Sequence, residues 1–345
     1  MRKLIFLVLI VLFAAYAGWA ERRPVTHYLS DLRSQVAFSQ GVPSGRGNLL
    51  GIQPELFTPD YQSVERLRLK LAAYLEKARS EGLLGPRTVV VFPEHIGTWL
   101  LVTGEKPEVY RAERLDEAME WMIASNPLKL ARGWLGAKGE DRMADALLRM
   151  KSVDMAHDYQ TLFGGLAREF GVTVVAGSIV LPSPRIDDGV LVSGNGRLFN
   201  VSLVFGSDGL PIGKPQRKVF LSDTEKRFIR AGNADDLQVL STPAGRLGVL
   251  IGADSWHADS YAALSAGKAE IVAVPASHGR NDGGDWNRLE LNGGLGESGA
   301  QAGMAVFLRG RLWDLRNDGR GLVATQAGQQ QATDEAGARL INLWL

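Results

Sequence analysis

Apolar residues recur along this chain with two different periods, and the switches between them mark out the elements. The first stretch has no period at all. From Leu4 to Ala20 the run is uncharged, with Arg2 and Lys3 ahead of it and Glu21, Arg22 and Arg23 behind. It lacks a polar face, so it does not read as a core helix, and it reaches the lower end of bilayer-spanning length. Small residues at Ala15-Tyr-Ala17 and Gly18-Trp-Ala20 also suit cleavage. Residues 1–23 are therefore expected to be a signal-anchor or a signal peptide. Residues 24–47, with Pro24, Pro43 and the glycine-rich stretch 41–47, read as a tether carrying one short helix.

From Asn48 to the end of the chain, a single α/β domain is expected. Asn48–Gln53 reads as a strand. Pro59–Arg79 reads as a helix, because Val64, Leu67, Leu71, Tyr74 and Ala78 fall three or four apart. Thr88–Phe92 has the β-branched run of a buried strand. Residues 108–170 are helical in pattern, broken by Pro127–Glu140, which reads as an inserted, ordered surface loop. Strands follow at Val172–Val180 and Asn200–Phe205, and an Asp208-Gly209 turn leads to the extended stretch Gly213–Leu221. Leu237–Thr242 and Arg246–Ile251 flank another turn. A helix at Ala258–Ala266 precedes the strand Glu270–Pro275, and Met304–Leu308 and Gly321–Thr325 close the sheet region. Alternating strands and helices predict layers with helices outside.

Composition narrows the chemistry. Lysine plus arginine (39) nearly balances aspartate plus glutamate (38), so no nucleic-acid partner is expected. The chain has no cysteine, which removes disulfides, thiolate metal sites and thiol catalysis together. The five histidines (His27, His95, His157, His257 and His278) show no ligand-like spacing, and neither a metal nor a cofactor is expected.

Three loci fall just beyond the carboxyl ends of predicted strands, where α/β sheets place ligands. They are Val89-Val-Val-Phe-Pro-Glu94, then Gly213-Lys-Pro-Gln-Arg-Lys218-Val-Phe-Leu221, then Gly245-Arg-Leu-Gly-Val-Leu-Ile-Gly-Ala-Asp-Ser-Trp256. Their order and flanks resemble the nitrilase, or carbon–nitrogen hydrolase, superfamily. There F-P-E carries a glutamate, R-K-x-H-L a lysine, and a G-x-x-G-V-x-I strand ends in the nucleophilic cysteine. Here Gly252 stands at the cysteine's place and Phe220 at the histidine's. Asn200-Val-Ser-Leu-Val-Phe205 with Asp208-Gly209 matches the hairpin before the lysine.

The resemblance covers Asn48 to about Gln326. It implies a four-layer αββα sandwich, preceded here by the N-terminal hydrophobic helix, and a homodimer. It also implies that Glu94 corresponds to the general base and Lys218 to the oxyanion stabiliser, with Glu225 as a second glutamate. A base beside the nucleophile and a fixed cation for the developing anion are what such acyl chemistry needs. With glycine at 252 the nucleophile is absent, and a gap of side-chain size is expected beside Glu94.

Other features carry less. Asp254, Trp256 and Trp99 are candidate ligand contacts near the strand ends, as is Trp286, although core packing explains any of the tryptophans equally well. Ser255, His257 and Asp259 lie too close in sequence to face one another as a triad. Gly294-Leu-Gly-Glu-Ser-Gly299 matches a dinucleotide-binding pattern but follows loop chemistry rather than a strand, so it reads as a glycine-rich rim.

Three functions stay open on the sequence. The first is a membrane-anchored, extracytoplasmic nitrilase-fold protein with impaired catalysis that binds a small amide-, nitrile- or carboxylate-containing ligand or a partner. The second is an active amidohydrolase in which Glu94 activates water directly. The third is a structural dimerisation partner of another membrane protein.

Overall fold

The sheet pattern predicted from the sequence resolves into two sheets packed face to face. The computed structural model describes residues 2–23, 27–277 and 291–345. The first sheet runs in the order Ser34–Gln40, Ala338–Trp344, Asn48–Gln53, Thr88–Val91, Thr173–Val175, Leu198–Phe205, Pro211–Arg217, with Ile179–Pro182 also paired to Leu198–Phe205. The second runs Val239–Thr242, Gly245–Val249, Ile271–Ala276, Ala302–Phe307, Leu322–Thr325, Gly328–Gln331. In chain order the helices are α1 (Arg2–Glu21), α2 (Val64–Ser80), α3 (Pro107–Arg111), α4 (Leu115–Ser125), α5 (Pro127–Gly136), α6 (Arg142–Phe170), α7 (Asp223–Lys226), α8 (Ala258–Ala266) and α9 (Leu291–Ser298).

Burial separates these elements into four layers. Leu49, Val89, Val91, Val175 and Val204 of the first sheet meet Leu247, Val249, Ile271, Met304 and Val306 of the second in one apolar cluster. The opposite face of the first sheet is covered by α2 and α6, through residues such as Leu71, Tyr74, Tyr159 and Phe163. The opposite face of the second is covered by α8 and α9 through Tyr261, Leu264, Leu291 and Leu295. The result is the expected αββα sandwich. Strands buried on both faces read as near-continuous apolar runs rich in valine and isoleucine, as Thr88–Val91 and Ile271–Ala276 do.

Four expectations need correction. Within the segment read as a tether with a helix, Ser34–Gln40 forms a strand paired in parallel with Ala338–Trp344. That C-terminal strand, beyond the last one expected, lies between Ser34–Gln40 and Asn48–Gln53. The expected strand Val172–Val180 is two strands, broken where Gly177 turns at φ +68°. Finally, the expected loop at 127–140 contains the helix α5. Proline at its first turn is tolerated because that N–H has no intrahelical acceptor, and Gly133 lets α5 approach α6, since a Cβ there would lie 2.3 Å from the Ala146 carbonyl oxygen.

Candidate functional site

Four chain segments leave the carboxyl ends of their strands at one place, bringing together Glu94, Lys218 with Glu225, Gly252 and Ser277. After Thr88–Val91, the Phe92 N–H donates to the Val175 carbonyl (2.9 Å) and the Glu94 N–H to the Ala276 carbonyl (3.3 Å), tying the two sheets together. His95 then turns at φ +61°, its N–H held by the Ser178 hydroxyl at 2.8 Å. This turn directs the Glu94 carboxylate inward, where it is 1% exposed.

Glu94 meets Lys218 there. The Lys218 ammonium donates to Glu94 Oε1 at 2.8 Å and to both Glu225 oxygens at 2.8 Å. Its three hydrogens thus all have acceptors. Asn200 Nδ2 donates to Glu94 Oε1 at 2.9 Å, and the Ser277 hydroxyl to Glu94 Oε2 at 3.0 Å. Glu225 is placed by a capping box at the start of α7, where the Ser222 N–H donates to its Oε2 at 2.9 Å. Burial pushes the Glu94 carboxyl up, but the Lys218 ammonium and His95 outweigh it and hold the group below its ordinary value. Burial alone would lower the Lys218 pKa, but Glu94 and Glu225 raise it above the usual lysine value. Both groups are therefore charged at neutral pH.

Gly252 lies directly against this cluster. The strand Gly245–Val249 ends, Ile251 stays extended, and Gly252 begins a short 3-10 turn at φ +52°. A Cβ on Gly252 would stand 2.5 Å from Glu94 Oε2 and 3.0 Å from its Cδ. The gap expected beside Glu94 is therefore absent: the carboxylate itself fills the volume over the glycine.

The neighbouring candidates take other work. Asp254, fully buried, accepts from the Val219 and Phe220 N–H groups at 2.9 and 2.8 Å and from the Ile251 N–H at 3.3 Å. It clamps the lysine-bearing segment to the glycine-bearing one. Burial lifts its carboxyl to about 7, against the pull of those N–H donors. Ser255 donates to the Gly252 carbonyl at 2.8 Å, and His257 stacks on Phe220 with centroids 3.5 Å apart. Each is engaged separately, so no serine–histidine pair forms between them. Trp99 packs on Trp313 at 5.4 Å, within the core beneath α6, and Trp256 is 36% exposed. Trp286, His278 and Asn281–Asn287 lie outside the described residues. The glycine-rich stretch expected at the rim is mostly α9, where Gly294 sits so close to the Tyr261 ring that a Cβ would lie 2.1 Å from it.

Sequence reasoning did not single out Ser277, His95 or the Asn200 side chain. Ser277 was detectable as the first polar residue after Ile271–Ala276; the other two depend on pairing across the sheet. Glu94, His95 and Glu225 bring three metal-ligand-type atoms within 4.8 Å of one another. The Lys218 ammonium already bonds both carboxylates, so a cation entering here would be repelled.

The carbon–nitrogen hydrolase family profile matches residues 52–300. No curated protein matches the chain. Among solved structures, an amidase from Nesterenkonia sp. is similar at 17% identity and a TM-score of 0.55, covering 86% of this chain and 90% of that one. A carbon–nitrogen hydrolase from Helicobacter pylori matches at 17% identity and 0.54, covering 86% and 88%. Saccharomyces cerevisiae Nit3, described as a member of branch 10 of the nitrilase superfamily, matches at 17% and 0.53, covering 86% and 89%.

Proposed function

The chain belongs to the carbon–nitrogen hydrolase family, and we propose that it is a membrane-anchored, extracytoplasmic member with impaired catalysis, which binds a small amide rather than hydrolysing it. One observation carries the loss of catalysis. The Glu94 carboxylate occupies the volume over Gly252 in which a nucleophilic side chain would begin, and no cysteine exists elsewhere. Among the solved relatives, a variant of the Nesterenkonia amidase carries an acetamide moiety added covalently at its active-site cysteine. This chain has no equivalent atom to attack with.

Direct activation of water by Glu94 is disfavoured on two counts. A carboxylate held below its ordinary pKa is a weak base, and base catalysis alone supplies only about 10²–10⁴ in rate. Hydrogen-bond inventory selects among the ligand classes. The Lys218 hydrogens are all engaged, which leaves a carboxylate or nitrile without a donor there. Acceptors, by contrast, are available: Glu94 Oε2 has a second lone pair, and the buried Asn200 Oδ1 has no partner among the described residues. An amide NH₂ supplies two donors, which match those two acceptors.

The helix Lys3–Glu21, whose uncharged run is Leu4–Ala20, is long and apolar enough to cross a bilayer, with a mean hydropathy of 2.2. Arg2 and Lys3 ahead of it hold that end in the cytoplasm, which exports the domain. A homodimer follows from the family resemblance and is checked by sedimentation of the detergent-solubilised chain.

The binding claim is tested by thermal unfolding of the full chain with a panel of small amides, nitriles and carboxylates. Amides should stabilise most, by about 2.7 kcal/mol at a hundredfold excess over Kd, and Glu94→Gln should abolish the shift. Equal shifts for all three classes, or none, would contradict the amide reading.

A further inference from the structure

Beside the point where α1 joins the domain lies a helix whose outer face is apolar and uncovered. Tyr16 of α1 donates its hydroxyl to the Ala124 carbonyl, Trp19 lies 6.3 Å from Trp121, and Arg23 Nη2 donates to the Ser125 carbonyl (3.4 Å) and Asn126 Oδ1 (3.3 Å). Lys106 donates to the Trp19 and Arg22 carbonyls. The exit of the anchor is thus fixed at the corner between α4 and α5. At 1.5 Å per residue, the whole of α5 lies within about 15 Å of that corner along its axis.

At 100° per residue, Trp134, Ala131, Leu135 and Leu128 fall on one continuous arc of α5, with Arg132 and then Lys129 along one margin. Leu128 is 79% exposed and Leu135 86%, while Gly133, on the other side, is buried against α6. The helix contains no acidic residue. The Arg142 guanidinium lies 5.0 Å from the Trp134 ring centroid, and Met143 adds a further exposed apolar group at the start of α6.

From these positions we propose that α5 lies in the surface of the same bilayer that α1 crosses, with Leu128 and Leu135 inserted at headgroup depth. Three properties select a lipid surface over a protein partner. The face adjoins the anchor exit. Its margin is basic, as in interfacial helices. Tyr16, Trp19 and Trp121 cluster at the anchor exit, where aromatic residues concentrate in membrane proteins. The inference rests on the membrane-anchor reading and adds a second contact, which would fix the tilt of the domain against the membrane.

The absence of native cysteine makes the test direct. Leu135→Cys in the full chain is labelled with an environment-sensitive fluorophore and reconstituted into phospholipid vesicles. Leu9→Cys reports on α1. Leu210→Cys, 54% exposed, serves as a solvent-exposed control, because its turn packs near Gly164, about 27 Å along α6 from the α5 contact at Ala146. The Leu135 probe should be quenched by lipids spin-labelled at the headgroup and the Leu9 probe by lipids spin-labelled along the acyl chain, with Leu135 several-fold less accessible to iodide than the Leu210 probe. Iodide accessibility equal to Leu210, with Leu9 still quenched by lipid, would overturn the α5 contact while leaving the anchor. Shielding from iodide without lipid quenching would overturn it in favour of a protein cover. Failure of the Leu9 probe to be quenched would remove the anchor and, with it, the proposal that α5 lies on the bilayer α1 crosses.

Discussion

Placing a methyl group on Gly252 probes the site more sharply than removing any of its charges. In Gly252→Ala the new Cβ stands 2.5 Å from Glu94 Oε2 and 3.1 Å from Oε1, where ordinary contact begins near 3.4 Å. The carboxylate must retreat by roughly 1 Å, a distance set by ordinary packing. That retreat stretches its bonds to Lys218, Asn200 and Ser277. Losing one charge-assisted hydrogen bond costs about 1.5–3 kcal/mol, and a left-handed backbone under a side chain costs about 1–2 kcal/mol. The total of about 2.5–5 kcal/mol should lower Tm by roughly 4–8 °C in a domain of about 300 residues. In a Glu94→Ala background the crowding is gone and only the backbone cost remains. Thermal or denaturant unfolding of the four proteins of the cycle reads the coupling, expected at about 2 kcal/mol. If Gly252→Ala costs the same in both backgrounds within about 0.5 kcal/mol, Glu94 does not occupy that volume and the argument fails.

Two further substitutions test the electrostatics. Lys218→Met leaves Glu94 and Glu225 buried without their cation and should cost about 3–5 kcal/mol. Because Glu94 then loses the charge that holds its pKa down, the loss should shrink from pH 8 to pH 5 as Glu94 protonates; a pH-independent loss would contradict this. Asp254 is a separate pH sensor. Its folded pKa, about 7, exceeds the unfolded value of 3.8, so its contribution to stability is fully present below about pH 4 and lost as pH rises through 7. Over pH 5–7 the Tm of the native chain should fall with rising pH, and Asp254→Asn should flatten that slope; parallel curves would show that Asp254 does not titrate there.

Much of the site was legible because its chemistry follows strand ends. Thr88–Val91, Gly245–Val249 and Ile271–Ala276 end in apolar residues, and Glu94, Gly252 and Ser277 follow those ends within three positions. What stayed hidden depends on distance along the chain. Val36 and Phe38 alternate as a strand should, but Ser34–Gln40 is only half-buried and finds its partner about 300 residues later. α5 was masked by Pro127, Gly133 and Gly136, which read locally as loop residues. Gly133 is there to admit the neighbouring helix, a packing fact that no local pattern carries. The position of the Glu94 carboxylate over Gly252 was equally invisible, because it follows from a lysine 124 residues away.

The central claim is that this site does not turn over. Ammonia release from small amides and nitriles should be measured with the full chain and with Glu94→Gln, at enzyme concentrations that would reveal a rate a millionfold below that of a thiol enzyme. Both proteins should match the uncatalysed background. Turnover by the native chain that disappears in Glu94→Gln would contradict the account.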